Sequence, residues 1–428
     1  MYGARRRELA KRMKEGVAVF LAPPDGSHYL TSGDLLYLTG MNEPHFALVL
    51  VAGRQPKVHL FLRPYDRVDE IWNGRRATVE DGAKPFGVDE VHDIKQLETK
   101  LVSWLSGQKT FWAPLGGGYD QADQIVLGVM KKFRATKRGA ASHLPVVRDP
   151  GLVLHPLRLV KAPEELIYMK KAAEITTLAY EPVFKAMRPG LIEGEISGLL
   201  DYGFRQRGGE GPAYPSIVGS GENGCFLHYS KNSKVMKDGE LVVIDAGARC
   251  QYACDVSRTL PVNGRFTEAQ ARVYDIVLEA EEVSIRRSRP GVSLAQVYQA
   301  AVEVLVRGMI RLGCVKERTV KAVLKKKSHQ AYFPHGVGHW LGLGVHDVGP
   351  YTMSNGKSVI LRPGMVYTVE PGLYFPVNDR LVPKAYRGIG IRIEDDVLIT
   401  SRGHEVLTKG IPKTRNDIEA AMFKGGEK

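Results

Sequence analysis

The stretch 333–342 reads FPHGVGHWLG, which sets His335 and His339 four residues apart among glycines, with His346 seven residues further on. A histidine pair at that spacing on a helix would suit a zinc peptidase, but that arrangement needs a Glu after the first His, and Gly336 stands there. Gly336, Gly338, Gly342 and Gly344 also make a helix costly. The pattern therefore predicts a strand or loop whose backbone comes close to something, with one or more of these imidazoles as ligands. The remaining ligands must lie elsewhere.

Acids at strand ends supply the candidates. Asp245 closes a run in which residues 241–244 are all apolar, so its carboxylate projects from a buried scaffold. Asp255 follows ten residues later, as the next strand of a hairpin would allow, and Glu370 in GMVYTVEPG repeats the arrangement. In GIGIRIEDDVLIT the two-residue strand period puts Arg392 and Glu394 on one face and Ile391 and Ile393 on the other. Four carboxylates converging on one cleft cannot all ionise without cations. Two divalent metals would resolve the repulsion, and with one His they make an oxygen-rich site that suits Mn²⁺ and tolerates Co²⁺ or Zn²⁺. Two metals about 3.5–4 Å apart is an arrangement used by hydrolases. Any one of these acids alone, or His339 alone, is better explained by an ion pair or a structural hydrogen bond; their joint occurrence in order is what points to a site. Trp72, in EIWNGRR, reads equally well as a surface-packing residue.

These residues need elements to position them. Up to about residue 155, short β-rich runs (VAVFLA, FALVLVA, KVHLFL, KTFWAPL) alternate with helical patterns such as DIKQLETKLVSWLSG, which predicts an α/β domain. A boundary is expected near HPLRLVKAPEE, where Pro163 opens a long amphipathic helix and Glu164 and Glu165 suit its positive end. Beyond it the order of elements repeats. A helix ends in RPG (188–190) before the helix EGEISGLLDYGFRQRG; about a hundred residues later a helix opened by a Thr267/Gln270 capping box ends in RPG (289–291) before LAQVYQAAVEVLVRGM. A His-bearing segment follows each pair (His228; His335 to His346), then a strand ending in an acid. Two related halves facing a shared cleft are expected.

With 428 residues, 43% of them hydrophobic, the chain is long enough for two domains, taken as 1–157 and 158–428. The net charge of +13 is scattered, and its densest run, Lys325 to Lys327, has no interleaved aromatics, so no nucleic-acid partner is expected. Four cysteines at this length argue for a reducing compartment, hence the cytoplasm, and Cys250 and Cys254 lack the second pair that a zinc site would need. The apolar run Val17 to Ala22 is too short for a signal peptide, and no stretch approaches the ~20 apolar residues that span a bilayer.

The stretches SIVGSGENGCFLHYS, VVIDAGA, DVSRTLPVNGRFT, PHGVGHWLGLGVHDVG, VEPGLY and GIGIRIEDD resemble the pita-bread metallopeptidases, and among them the Xaa-Pro aminopeptidases (aminopeptidase P). YLTGMNEPHFALVLV and EIWNGRRATVEDG look like that family's first domain. The resemblance implies an α/β (α+β) chain, an N-terminal α/β domain followed by a pseudo-twofold pita-bread catalytic domain. It implies metal ligands Asp245, Asp255, His339, Glu370 and Glu394, with Asp255 and Glu394 bridging two ions. It implies substrate-binding or proton-handling histidines at His228, His335 and His346, with Arg392 beside Glu394. The step from Asp245 to Asp255 is one residue shorter than the family's usual spacing, a difference that the turn at ARCQY can absorb.

The activity implied is removal of the first residue from peptides with proline second. An Xaa-Pro bond is a tertiary amide with no N–H and a fixed φ, so it needs a specialised pocket. A hydroxide bridging the metals would attack the carbonyl, Glu370 would take up the proton, His346 would stabilise the oxyanion, and His228 and His335 would orient the peptide. The alternatives are a prolidase restricted to Xaa-Pro dipeptides, a methionine aminopeptidase, which typically lacks the first domain, and a metal-free member of the fold that binds peptides or acts as an amidinohydrolase. In the resembling family, stretches matching SGDLLYLTGMNEP and EIWNGRR lie near the active site, some reaching a neighbouring subunit's cleft. A homo-oligomer (dimer or tetramer), with Trp72 near the peptide, is therefore expected.

Overall fold

The structure, a computed structural model, describes residues 1–23, 33–116, 120–136 and 143–423. Ser32, which opens SGDLLYLTGMNEP, lies outside the described residues. The chain divides into two compact units, Met1–Arg158 and Leu159–Lys428.

The first unit is built on one mixed sheet. Strands β1 (Gly16–Leu21), β2 (Ala47–Ala52) and β3 (Lys57–Leu62) form an antiparallel meander. Strand β4 (Glu90–Asp93) joins β3 in parallel, while β5 (Thr110–Trp112) and β6 (Val146–Arg148) extend the other side, giving the order β4-β3-β2-β1-β5-β6. The alternate residues Val17, Val19, Val49 and Phe61 pack against Leu97, Leu101, Val126 and Phe133 from the helices Leu97–Trp104 and Asp120–Thr136. The helix Arg67–Asn73 is different: none of its residues is buried, and Trp72 is 82% exposed beside exposed Val68 and Ile71.

In the second unit the repeat is visible in backbone detail. The helices Pro163–Ala186 and Glu193–Gln206 pack as one pair and Glu268–Arg287 and Leu294–Leu312 as the other, with Pro163 in the first turn and the Thr267/Gln270 capping box both formed. The glycine of each RPG takes a positive φ, 90° at Gly190 and 85° at Gly291, the turn that glycine enters without strain. Each donates its N–H to a distant carbonyl, Met236 and Leu361 respectively, and each next helix opens beside an isolated bridge, Ile192 to Val235 and Ser293 to Ile360. Residues of low identity thus make the same contacts twice.

The strands of this unit are β7 (Gly211–Pro212), β8 (Ile217–Ser220), β9 (Leu241–Asp245), β10 (Ala248–Cys250), β11 (Tyr252–Ala253), β12 (Ser257–Pro261), β13 (Val366–Val369), β14 (Gly372–Tyr374), β15 (Gly390–Arg392), β16 (Asp395–Ile399) and β17 (His404–Val406). They pair as β8-β9-β12 in the first half and as β13-β16-β17 and β14-β15 in the second, with the small sheet β7-β10-β11 at the side. The halves are stitched where Thr259 Oγ1 donates to the Arg392 carbonyl and the Glu394 N–H donates to the Ser257 carbonyl. One continuous core, including Tyr180, Val243-flanking Val242 and Ile244, Tyr367 and Ile391, underlies both. No helix among the described residues is long and apolar enough to cross a membrane.

Candidate active site

The glycines around His339 have a structural cause. Residues 337–339 run beside β13: Glu370 N–H donates to the Val337 carbonyl (2.7 Å) and Thr368 N–H to the His339 carbonyl (2.9 Å). A Cβ on Gly338 would sit 1.7 Å from the Thr368 carbonyl oxygen, so a side chain there is impossible without moving β13. The close approach expected from the glycine pattern is to that strand, and it fixes His339 beside Glu370.

The hairpin between Asp245 and Asp255 is equally tight. Gln251 turns the chain at φ 57°, and a Cβ on Gly247 would lie 1.8 Å from the Cys254 carbonyl oxygen. Asp245 pairs across β9 and β12 with Ser257, which leaves Asp255 two residues ahead of the ladder and free to turn inward. In the second half β13 ends at Val369, opposite Asp395, so Glu370 and Glu394 both stand just outside the paired strands. The two-residue period holds across the gap between β15 and β16: Ile391 and Ile393 are fully buried in the core, and Arg392 and Glu394 face the other way.

That other side is a cavity of about 540 Å³, within the range of small-ligand sites. It is lined by Asp245, Asp255, His339, Glu370, Glu394, His228, His335, His346 and Arg392, all the site residues expected from the sequence, together with apolar Pro215, Ile217, Leu227 and Val345. Asp255, His339 and Glu394 offer donor atoms that all lie within 4.8 Å of one another. His339 Nε2 is 3.3 Å from Asp255 Oδ2 and 3.6 Å from Glu370 Oε1. His346 meets the His339 ring edge-to-face with centroids 4.2 Å apart, and His335 Nδ1 is 3.7 Å from Glu370 Oε2. His228 and His346 are exposed, at the open side of the cavity.

Three partners were not singled out from the sequence. Tyr214 donates one phenol to Asp245 (2.6 Å) and is also hydrogen-bonded to Asp255. Ser257 Oγ donates to Glu394 (2.7 Å) and accepts from Arg392 Nε (2.7 Å), and Arg392 reaches Asp245 through Nη2 (2.6 Å). Tyr374 Oη takes Arg392 Nη1 (3.2 Å) and lies 3.0 Å from His335 Nε2. Tyr214 sits in an irregular segment between β7 and β8, where no periodicity marks a residue as inward-facing. Tyr374 falls inside the motif VEPGLY, which was the one available signal.

The charges do not balance among the protein groups. Burial, with Asp255, Glu370 and Asp245 close by, pushes the Glu394 carboxyl well above the usual range, and burial also raises Asp245 against the opposing pull of Arg392. Burial raises Glu370 to about 7 although His339 and Arg392 pull it down. Burial works against a charged imidazole at His339, but the hydrogen bond and charge of Asp255, with Glu370, raise it to about 9. Burial and the Arg392 charge lower His335 to about 4, and burial with the His339 charge lowers His346. Carboxyls that hold protons for want of cations, in an oxygen-rich set with one imidazole, fit a pair of divalent metals.

Protonatable acids converging with histidines in a duplicated α/β scaffold define a metallohydrolase-type centre. Residues 167–401 match the family model described as metallopeptidase family M24, and residues 2–112 match that of the aminopeptidase P N-terminal domain. The chain is 42% identical to the Xaa-Pro aminopeptidase of Escherichia coli (strain K12) over 98% of its own length and 96% of that protein's. A structure of Escherichia coli aminopeptidase P in complex with substrate superposes with a TM-score of 0.92 at 40% identity, covering 100% of this chain and 98% of that one. A zinc-substituted form of that enzyme in complex with product gives 0.93 at the same identity and coverage. The chain belongs to metallopeptidase family M24, with an N-terminal α/β domain ahead of the M24 catalytic domain.

Proposed function

We propose that this chain removes the N-terminal residue from peptides whose second residue is proline. The observation that carries the proposal is the single cavity in which four buried or half-buried carboxylates and His339 meet three further histidines and an apolar wall, in a chain so similar to Xaa-Pro aminopeptidases. Asp245, Asp255, His339, Glu370 and Glu394 would hold two divalent cations. Manganese is the proposed ion because oxygen donors dominate, with cobalt or zinc as substitutes. When bound, such a pair supplies Lewis acidity toward the carbonyl and makes water acidic enough to be a nucleophile near neutral pH.

The chain's own groups do the rest. Glu370, half-buried in the cavity wall beside His335 and His339, is placed to accept a proton and return it to the leaving proline nitrogen. His346, neutral and exposed at the mouth, can donate an N–H to the oxygen on which negative charge develops. His335, held by Tyr374, and His228 orient the peptide, while Pro215, Ile217, Leu227 and Val345 offer a dry surface to the pyrrolidine ring. Arg392 holds Asp245 at 2.6 Å and opposes the burial that raises its carboxyl, and Tyr214, its phenol kept protonated by burial beside two acids, bridges Asp245 and Asp255, with its one proton donated to either of them.

A domain boundary at 157/158 belongs to the same proposal, and a division of compact units after Arg158 supports it. So does a homo-oligomer: a Trp72 ring 82% exposed beside exposed Val68 and Ile71 is what a second copy would cover. A cytoplasmic location is supported by four free thiols, Cys225, Cys250, Cys254 and Cys314. Chelation tests the proposal: metal-stripped protein should lose peptidase activity and regain it with Mn²⁺, and full activity in verified metal-free protein would refute it.

A further inference from the structure

In the N-terminal unit, Met1–Arg158, a second group of metal-type donors meets at the sheet edge. His59 on β3 is in register with Glu90 on β4, and His92, two residues along β4, points to the same face. Their donor atoms form a near-equilateral triangle. His59 Nδ1 is 3.2 Å from His92 Nε2 and 3.6 Å from Glu90 Oε2, and His92 Nε2 is 3.2 Å from that same oxygen.

Hydrogen bonds alone do not satisfy this triangle. Each facing ring nitrogen carries at most one hydrogen and an ionised carboxylate none, so three close edges share at most two protons. Burial lowers His59 to about 4, and burial with the Lys100 charge lowers His92, which favours neutral rings, each able to turn a lone pair to the triangle in one of its two tautomers. A cation at the centre satisfies all three edges at once. Donors about 2.0–2.1 Å from a tetrahedral ion stand roughly 3.3 Å apart, which matches the edges observed.

The surroundings suit a site with one open position. His59 is buried and stacked on Trp104, with ring centroids 4.2 Å apart, which holds the imidazole rigid. Glu90 is exposed, so water can reach the side of the triangle away from the core. Lys100 opposes a cation there, while Asp89 and Glu90 favour one. Strand β4 is four residues long, pairs with β3 alone and has no fully buried residue, so it contributes little core of its own. We propose that His59, Glu90 and His92 bind a divalent transition-metal ion of the zinc class, with water as the fourth donor, and that this ion clamps the edge strand β4 to β3. Two imidazoles and one carboxylate select zinc, cobalt or nickel over the hard ions preferred by an all-oxygen set.

The test uses full-length protein, stripped of metal and dialysed against micromolar free Zn²⁺, with bound zinc measured by mass spectrometry. Wild type should hold about one equivalent more than His92→Ala, and Glu90→Gln should weaken that equivalent at least tenfold. Glu90 is exposed, so its variant keeps the fold, and Mn²⁺-loaded peptidase activity should stay within twofold of wild type in both. Co²⁺ loading should add the strong visible bands of a tetrahedral site to wild type and not to the variants. Equal zinc content and equal Co²⁺ spectra in wild type and folded Glu90→Gln and His92→Ala would overturn the proposal.

Discussion

The two halves of the catalytic unit supply the same acids in different company. In the first, Asp245 and Asp255 face each other across a hairpin and share the neutral phenol of Tyr214. In the second, Glu370 and Glu394 stand just beyond β13 and just before β16, and the segment 335–346 sets His335 and His339 beside Glu370, with His346 against the His339 ring. The first half contributes His228, exposed at the cavity mouth. Each half also borrows from the other: Arg392 of the second pairs with Asp245, and Ser257 of the first donates to Glu394. Duplication of the scaffold gave a symmetric charge cluster. Proton handling is concentrated on one side, and the cross-links keep the halves in register.

If that division holds, the second-half acid should matter to turnover beyond its charge. Glu370→Gln keeps the shape of the side chain but removes its basicity, so kcat should fall about 10²–10⁴-fold while KM changes little. Steady-state kinetics on metal-loaded variant protein decides it, and near-normal turnover would return the two halves to equal roles.

The cross-links predict a smaller effect. Ser257→Ala leaves Glu394 and Arg392 each short of a buried hydrogen bond. Metal-free protein should lose about 1–3 kcal/mol in chemical denaturation. No change in midpoint would mean that the halves are held by their core alone.

The charge cluster itself can be read through pH. Glu370 keeps its proton in the folded metal-free state up to about 7, above its unfolded value, so the penalty for burying it ionised grows as pH rises from about 4.5 through 7. His339, raised to about 9, stabilises the metal-free fold fully below about 6.5 and ceases to do so as pH climbs through 9. Both terms weaken the metal-free protein in the same direction, and metal replaces the displaced protons. The difference in Tm between metal-loaded and metal-free protein should therefore widen from pH 5 to pH 9, as calorimetry would show; a constant gap would remove the cluster as its source.

The smallest effect lies outside both halves. Trp72→Ala should raise KM for Xaa-Pro-Yaa a few-fold and leave kcat nearly unchanged, since an aromatic surface serves binding more than chemistry. A change in thermal stability with unaltered kinetics would make Trp72 a packing residue.

Much of this was legible in the sequence because strand period and apolar runs are local signals. LVVID placed Asp245, and IRIE placed Arg392 and Glu394 on one face although the ladder breaks between them. The RPG repeat gave the two halves, whose shared turns the backbone reproduces. Tyr214 was hidden by lying in irregular chain, where nothing periodic points inward. Ser257 was hidden by distance, since its partner Glu394 is 137 residues away and comes into reach only when the halves meet. His59 and His92 were hidden for the same reason on a smaller scale: each reads as one strand residue until β3 and β4 pair.

The central claim is that this cavity cleaves ahead of proline in peptides longer than two residues. Mn²⁺-reconstituted protein assayed side by side on Xaa-Pro and Xaa-Pro-Yaa tests it most directly. Release of the first residue from the tripeptide, lost on chelation and faster than any cleavage of the dipeptide, is the result predicted. Cleavage confined to Xaa-Pro dipeptides would contradict it and make the chain a dipeptidase.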